Sequence, residues 1–205
     1  MTLSAALWSA NADIAGQVLA HPFVRGIGDG SLPREAFAGY VGQDAFFLES
    51  FARAYALALA RSSDTTTLLT LADLLAGVRQ ELGLHASYAG SWGIDMAGVE
   101  PRPATLAYTE FLLATAATQD LGVIFAAMTP CMRLYAWLGA SLDAGTAGQY
   151  APWVQTYADP EFDSTAAALE RLLDEQDDTP AVRTAYRRAM RLELAFFEAA
   201  LTPRH

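Results

Sequence analysis

The chain has 205 residues with 13 basic and 23 acidic side chains, a formal net charge of −10, and every basic residue is an arginine. That acidic balance argues against nucleic acid or an anionic membrane as partner, and the lack of lysine excludes Schiff-base chemistry and a phosphate-loop lysine. The single cysteine, Cys131, allows no intrachain disulfide and fits a reducing compartment.

This length is expected to form one domain, residues 1–205, with a sizeable core. No positive charge precedes Arg25, so no secretory or mitochondrial leader is expected. Apolar runs such as 54–60 and 121–128 fall short of the ~20 residues a membrane span needs. A soluble, cytoplasmic protein is the expectation.

Apolar positions recur at three- and four-residue spacing almost throughout, which predicts an all-α chain. In chain order the predicted helices are 4–20, 33–61, 65–92, 103–118, 120–143, 146–157, 161–175 and 180–201. The cluster Gly26-Ile27-Gly28-Asp29-Gly30-Ser31-Leu32-Pro33 reads as a loop, with Pro33 at a first helical position. No strand precedes its glycines and their spacing is wrong for a dinucleotide fingerprint. Asp64 before Thr65, and Thr179 before Pro180, are start signals. Glu100-Pro101-Arg102-Pro103 is the longest predicted linker and joins helices of one bundle. Pro130 is expected to kink or restart its helix, since it lacks the backbone donor.

If Thr129 caps that restarted helix, Cys131 lies in its first turn, where the dipole lowers a thiol's pKa and favours a nucleophile. The plainer alternative is a small apolar residue in the core. On the second long helix Tyr40, Asp44, Phe47 and Phe51 share one inward face. A buried unpaired charge costs several kcal/mol, so Asp44 needs donors from a structural partner or a ligand. The last helix sets Glu193 beside Phe196 and Phe197, while Glu198 is expected to face solvent. Tyr135 shares a face with Cys131, and Tyr108 and Tyr157 add phenols from two further helices. Taken alone, each of these phenols is more often packing than function. Glu81 and His85 have ligand spacing, but three histidines are too few for a di-iron or haem bundle. A surface pair, or support for a neighbouring loop, is the expected role.

Taken in order, Gln43-Asp44-x-x-Phe47-Leu48, Glu81-x-x-Leu84-His85, Pro130-Cys131-x-x-x-Tyr135-x-x-x-Gly139, Trp153-x-x-x-Tyr157 and Glu193-x-x-Phe196 resemble the TenA family of thiaminase II or aminopyrimidine aminohydrolase proteins, in its cysteine-containing branch. The resemblance covers nearly the whole chain. It implies a heme-oxygenase-like helical bundle, assembled as a homotetramer, that binds an aminopyrimidine or thiamin without a metal or organic cofactor. It further implies Cys131 as nucleophile, Glu193 as acid and base, and Asp44 as anchor of the ring. Tyr108, Tyr135 and Tyr157 fall on the pocket phenols, and Phe47 and Phe196 on the stacking rings. Many relatives carry tyrosine where this chain has Phe47, so a hydroxyl is missing there. The implied reaction hydrolyses 4-amino-5-aminomethyl-2-methylpyrimidine, or thiamin, to the hydroxymethylpyrimidine of thiamin salvage. A non-catalytic pyrimidine or thiamin binder and a metal-dependent oxidase on the same bundle are the competing readings.

Overall fold

The structure, a computed structural model, describes residues 1–93 and 98–201, with side chains described there except those of residues 84–88 and 91. Ten α-helices lie among the described residues: α1 Leu3–Ala10, α2 Ala12–Ala20, α3 Pro22–Gly28, α4 Arg34–Arg61, α5 Thr65–Trp92, α6 Pro103–Thr118, α7 Leu121–Ser141, α8 Ala151–Ala158, α9 Pro160–Asp174 and α10 Pro180–Leu201. The chain is thus all-α among those residues, with a single 3₁₀ turn at Gly148–Tyr150 leading into α8.

The start signals work as their chemistry requires. Asp64 accepts the Thr67 amide at 2.8 Å, and the Thr179 hydroxyl accepts that of Val182 at 3.2 Å. Pro33 is one position off, standing as the cap rather than the first residue of α4.

Three expectations are corrected. The helix expected over 4–20 is two helices, because the buried Asn11 side chain donates to the Leu7 carbonyl at 2.8 Å and competes with the next turn. The cluster expected to be a loop from Gly26 is helical through Gly28. Pro22 opens α3 and the His21 ring accepts the Phe23 amide at 3.2 Å. Its glycines serve close packing: a Cβ on Gly26 would lie 3.0 Å from the Leu32 backbone, and one on Gly28 would lie 2.8 Å from Leu142. Finally, α7 runs through Pro130 without a new start, and Thr129 caps nothing. Its hydroxyl donates back to the Phe125 carbonyl at 2.8 Å. Residues 122–130 are buried without exception, so packing on several sides holds the helix against proline's local preference.

That burial defines the architecture. α7 packs on α8, α9 and α10, while α4 packs on α5 and α6, and α10 touches both sets. Arg133 joins α7 to α9 through a bidentate pair with Glu170 and a 2.7 Å contact with Asp163. By length and composition α7 alone among the described helices could cross a membrane. Its apolar window is 78% buried inside the bundle, as in a core helix. A Cβ on Gly139 would come within 2.3 Å of the Tyr157 carbonyl carbon, so that glycine lets α7 and α8 approach backbone to backbone.

Candidate active site

Between the two sets of helices, five of them aim polar side chains at a common interior. Tyr40, Asp44, Phe47 and Phe51 lie buried along one face of α4, as their spacing predicts. α10 contributes Glu193, 2% exposed, with Phe196 and Phe197 on the same buried face, and Glu198 is exposed, where it pairs with His21 at 2.9 Å. From α6, the Tyr108 hydroxyl donates to Glu193 Oε1 at 2.7 Å. From α7, the half-buried Cys131 shares a hydrogen bond with the same carboxyl group. Nucleophile candidate and carboxylate candidate are therefore direct neighbours.

The rings surround this pair. Phe47 lies 4.7 Å from Tyr108 and 6.1 Å from Phe196, centroid to centroid. Tyr135 stands 4.8 Å from Tyr157. Tyr40 donates to the Tyr135 hydroxyl at 3.1 Å and accepts from the Trp153 indole at 3.4 Å. The structure thus brings together all the residues singled out: Cys131, Glu193, Asp44, Phe47, Tyr108, Tyr135, Tyr157 and Phe196.

Electrostatics overturns one expectation outright. Cys131 sits midway along α7, far from the helix's positive end. Burial first, then the charges of Glu193, Glu81 and Asp44, pushes the thiol well above its ordinary value. The thiol is not a free thiolate at neutral pH. Burial, joined by the charge of Asp44, also pushes Glu193 up to about 8, against hydrogen bonds from Tyr108 and Cys131 that lower it. At pH 7 most molecules carry that carboxyl protonated. Tyr40, Tyr108, Tyr135 and Tyr157 are all held well above the usual phenol range, chiefly by burial, so they remain proton donors.

Glu81 is the residue that sequence reasoning misplaced. It accepts the Tyr157 hydroxyl at 2.9 Å, and its charge raises Tyr157 and Cys131. The His85 side chain, its presumed partner, lies outside the described residues. The available signal was Glu81's helical spacing from the buried Leu74 and Val78, which turns it inward. Gln43 was missed as well. It accepts the Arg102 amide at 2.7 Å and the Thr105 hydroxyl at 2.6 Å, and donates to the Glu100 carbonyl at 2.9 Å. These bonds fasten the start of α6, and so Tyr108, to α4. A glutamine beside an aspartate on an aromatic face was the clue.

Residues 8–202 match the TENA/THI-4/PQQC family. The chain belongs to that family. An aminopyrimidine aminohydrolase of Halalkalibacterium halodurans is 35% identical over 199 residues, which cover 90% of this chain and 88% of that protein. The mitochondrial bifunctional TH2 protein of Arabidopsis thaliana is 34% identical over 208 residues, 87% of this chain but 34% of that longer protein. Among solved structures, a TenA family transcription regulator from Silicibacter sp. TM1040 superposes with a TM-score of 0.91 at 29% identity, covering 97% of this chain and 96% of that one. A Shewanella denitrificans domain with a heme oxygenase-like fold reaches 0.77 at 15% identity, covering 96% and 90%, a likeness of fold alone. The TENA/THI-4/PQQC bundle of this chain is thus heme-oxygenase-like, as its motifs implied.

Proposed function

We propose that the chain is an aminopyrimidine aminohydrolase of the thiaminase II type. It hydrolyses the bond from nitrogen to the methylene on ring carbon 5 of 4-amino-5-aminomethyl-2-methylpyrimidine, or of thiamin. The observation that carries this reading is the hydrogen-bonded triad of Cys131, Glu193 and Tyr108, set among aromatic rings in a member of this family. A flat polar ring needs apolar faces and a few edge donors and acceptors. Phe47 and Phe196 supply the faces, and Asp44, Tyr135 and Tyr157 the edge.

The protonation states suggest how the reaction starts. Because Cys131 is held neutral, its proton leaves as sulfur bonds to the ring carbon beside C5. The acceptor is the ionised fraction of Glu193, whose value near 8 suits a thiol's proton. The ring electrons move toward C5 and expel the amine from the methylene, while Glu193 returns the proton to it. Water then adds to the exposed methylene, giving its proton to Glu193, and the ring expels sulfur, which is reprotonated. Asp44 and the stacked rings hold the carbon over sulfur. Tyr108 keeps the Glu193 carboxyl turned toward the thiol.

Assembly as a homotetramer is part of the reading. Leu57, Leu68 and Leu69, at the facing ends of α4 and α5, are exposed on the single chain and supply apolar surface for a partner copy. A stable monomer by light scattering at micromolar concentration would count against it. The decisive experiment incubates both substrates in parallel and measures ammonia, thiazole and hydroxymethylpyrimidine. Tight pyrimidine binding with no product from either one would make this chain a binder instead.

A further inference from the structure

The helices that carry Tyr108 and Glu193 are each held at one end by the same short stretch, residues 99–102. α6 opens without a side-chain cap of its own, with Arg102 in the cap position. Gln43, reaching across from α4, takes over that task. Its Oε1 accepts both the Arg102 amide and the Thr105 hydroxyl, while its Nε2 donates to the Glu100 carbonyl. The Arg102 guanidinium reaches the other way. It donates to the Ala199 carbonyl in the last turn of α10, a turn with no basic residue of its own. α4 is notched to receive this stretch. A Cβ on Gly39 would lie 3.3 Å from the Arg102 guanidinium, and one on Gly42 would lie 3.1 Å from the Val99 side chain. Side chains at those two positions would push the stretch away from Gln43.

Thr105 and Tyr108 stand three residues apart on one face of α6, each 1% exposed. A shift of the first turn therefore carries the Tyr108 hydroxyl with it, and that hydroxyl holds Glu193 Oε1 at 2.7 Å. Both lone pairs of the Gln43 oxygen are taken by Arg102 and Thr105, which leaves none for a substrate. We propose that Gln43 and Arg102 are positioning residues: through the stretch between them they set Tyr108 on α6 against Glu193 on α10, and so the reach of that carboxyl to Cys131. The effect on turnover rests on the hydrolase reading above, whereas the effect on the Glu193 proton does not. Around Glu193 stand Tyr108 from α6, Cys131 from α7 and Asp44 from α4. The hydrogen bonds of the first two favour its charged form, so a Tyr108 drawn aside leaves Glu193 holding its proton to higher pH. A displacement of about 1 Å can cost ~10²-fold in rate.

Four variants test this. Thr105→Val removes one bond to Gln43 without changing shape, and Thr105→Ser keeps the hydroxyl. Gln43→Leu removes all three bonds, and Arg102→Gln withdraws the arm to α10 while keeping the backbone amide. The Glu193 proton is followed without substrate, by infrared titration of the buried carboxyl band that is missing from Glu193→Gln. Its midpoint is expected to rise by about half a pH unit or more in Thr105→Val, Gln43→Leu and Arg102→Gln, and to stay in place in Thr105→Ser. Kinetics on both substrates should show kcat lowered roughly tenfold in Thr105→Val and further in Gln43→Leu, with KM within about threefold and Thr105→Ser near normal. A midpoint unmoved in folded Thr105→Val overturns the role of Gln43, and one unmoved in folded Arg102→Gln overturns that of Arg102. So does a Thr105→Ser that behaves like Thr105→Val, since the hydroxyl is then not the handle. Should Gln43→Leu fail to fold, the two Thr105 variants decide for Gln43. Absence of turnover by the unaltered protein sinks the hydrolase reading, and the infrared titration alone then decides the positioning.

Discussion

A carboxylate takes a phenol's hydrogen bond twice in this bundle, and the two pairs behave differently. Tyr108 donates to Glu193 at 2.7 Å and Tyr157 to Glu81 at 2.9 Å, so the local chemistry is the same. Glu193 is 2% exposed and shares its carboxyl with the thiol of Cys131, while Glu81 is half-buried and reaches a cavity. The inner pair therefore stores a proton at neutral pH, whereas the outer pair acts on the thiol through its charge. Burial, more than the identity of the partner, decides which carboxyl handles protons.

Removing the sulfur tests the inner pair most severely. Cys131→Ser should keep pyrimidine binding but lose turnover by roughly 10³-fold, since a serine hydroxyl is far less acidic than a thiol. Steady-state kinetics beside a binding titration checks this. Near-normal rates would leave the thiol a packing group and shift the chemistry to water activated at Glu193.

Glu193→Gln should cost about 10²–10⁴-fold in kcat by removing proton transfer, and should flatten the limb of the pH profile near 8. It also has a stability signature. The folded value of about 8 lies above the ordinary 4.5, so the folded state holds the proton more tightly. Stability from this group is complete below about 4.5 and is lost as pH rises through about 8. Thermal melts from pH 5 to 9 should therefore fall less steeply in Glu193→Gln than in the unaltered protein. An unchanged slope would show that Glu193 titrates normally.

The outer pair is reached through the backbone. Gly139→Ala puts a methyl 2.3 Å from the Tyr157 carbonyl carbon, so α8 must shift. A loss of about 1–3 kcal/mol in unfolding free energy is expected, with activity reduced less than in either inner variant. Equilibrium denaturation and kinetics on the same sample would show it. The smallest effect belongs to Glu81→Gln. The raised thiol should react slowly with iodoacetamide at pH 7 and quicken only in alkali. Neutralising Glu81 should move that rise to lower pH, with turnover altered a few-fold. A rate profile identical in both proteins would break the charge coupling inferred between Glu81 and Cys131.

Helical periodicity and the aromatic faces of α4 and α10 were legible because burial of a stripe is a property of one helix at a time. Asp44, Phe47, Glu193 and Phe196 could be placed on inward faces from spacing alone. The caps at Asp64 and Thr179 were legible for the same reason, since a cap needs only residues within one turn. Pro130 was not. Its local preference is to break a helix, but burial along residues 122–130 holds α7 continuous. The acidity of Cys131 went the same way, because it depends on which charges other helices bring near, and those charges come from α4, α5 and α10. Sequence by itself determined the helices, their buried faces and the residue types available for chemistry, all of which are local. Only the tertiary structure decided that Glu81 turns toward Tyr157, that Glu193 keeps its proton and that the thiol is neutral, because desolvation and Coulomb energy depend on distances between helices far apart in the chain.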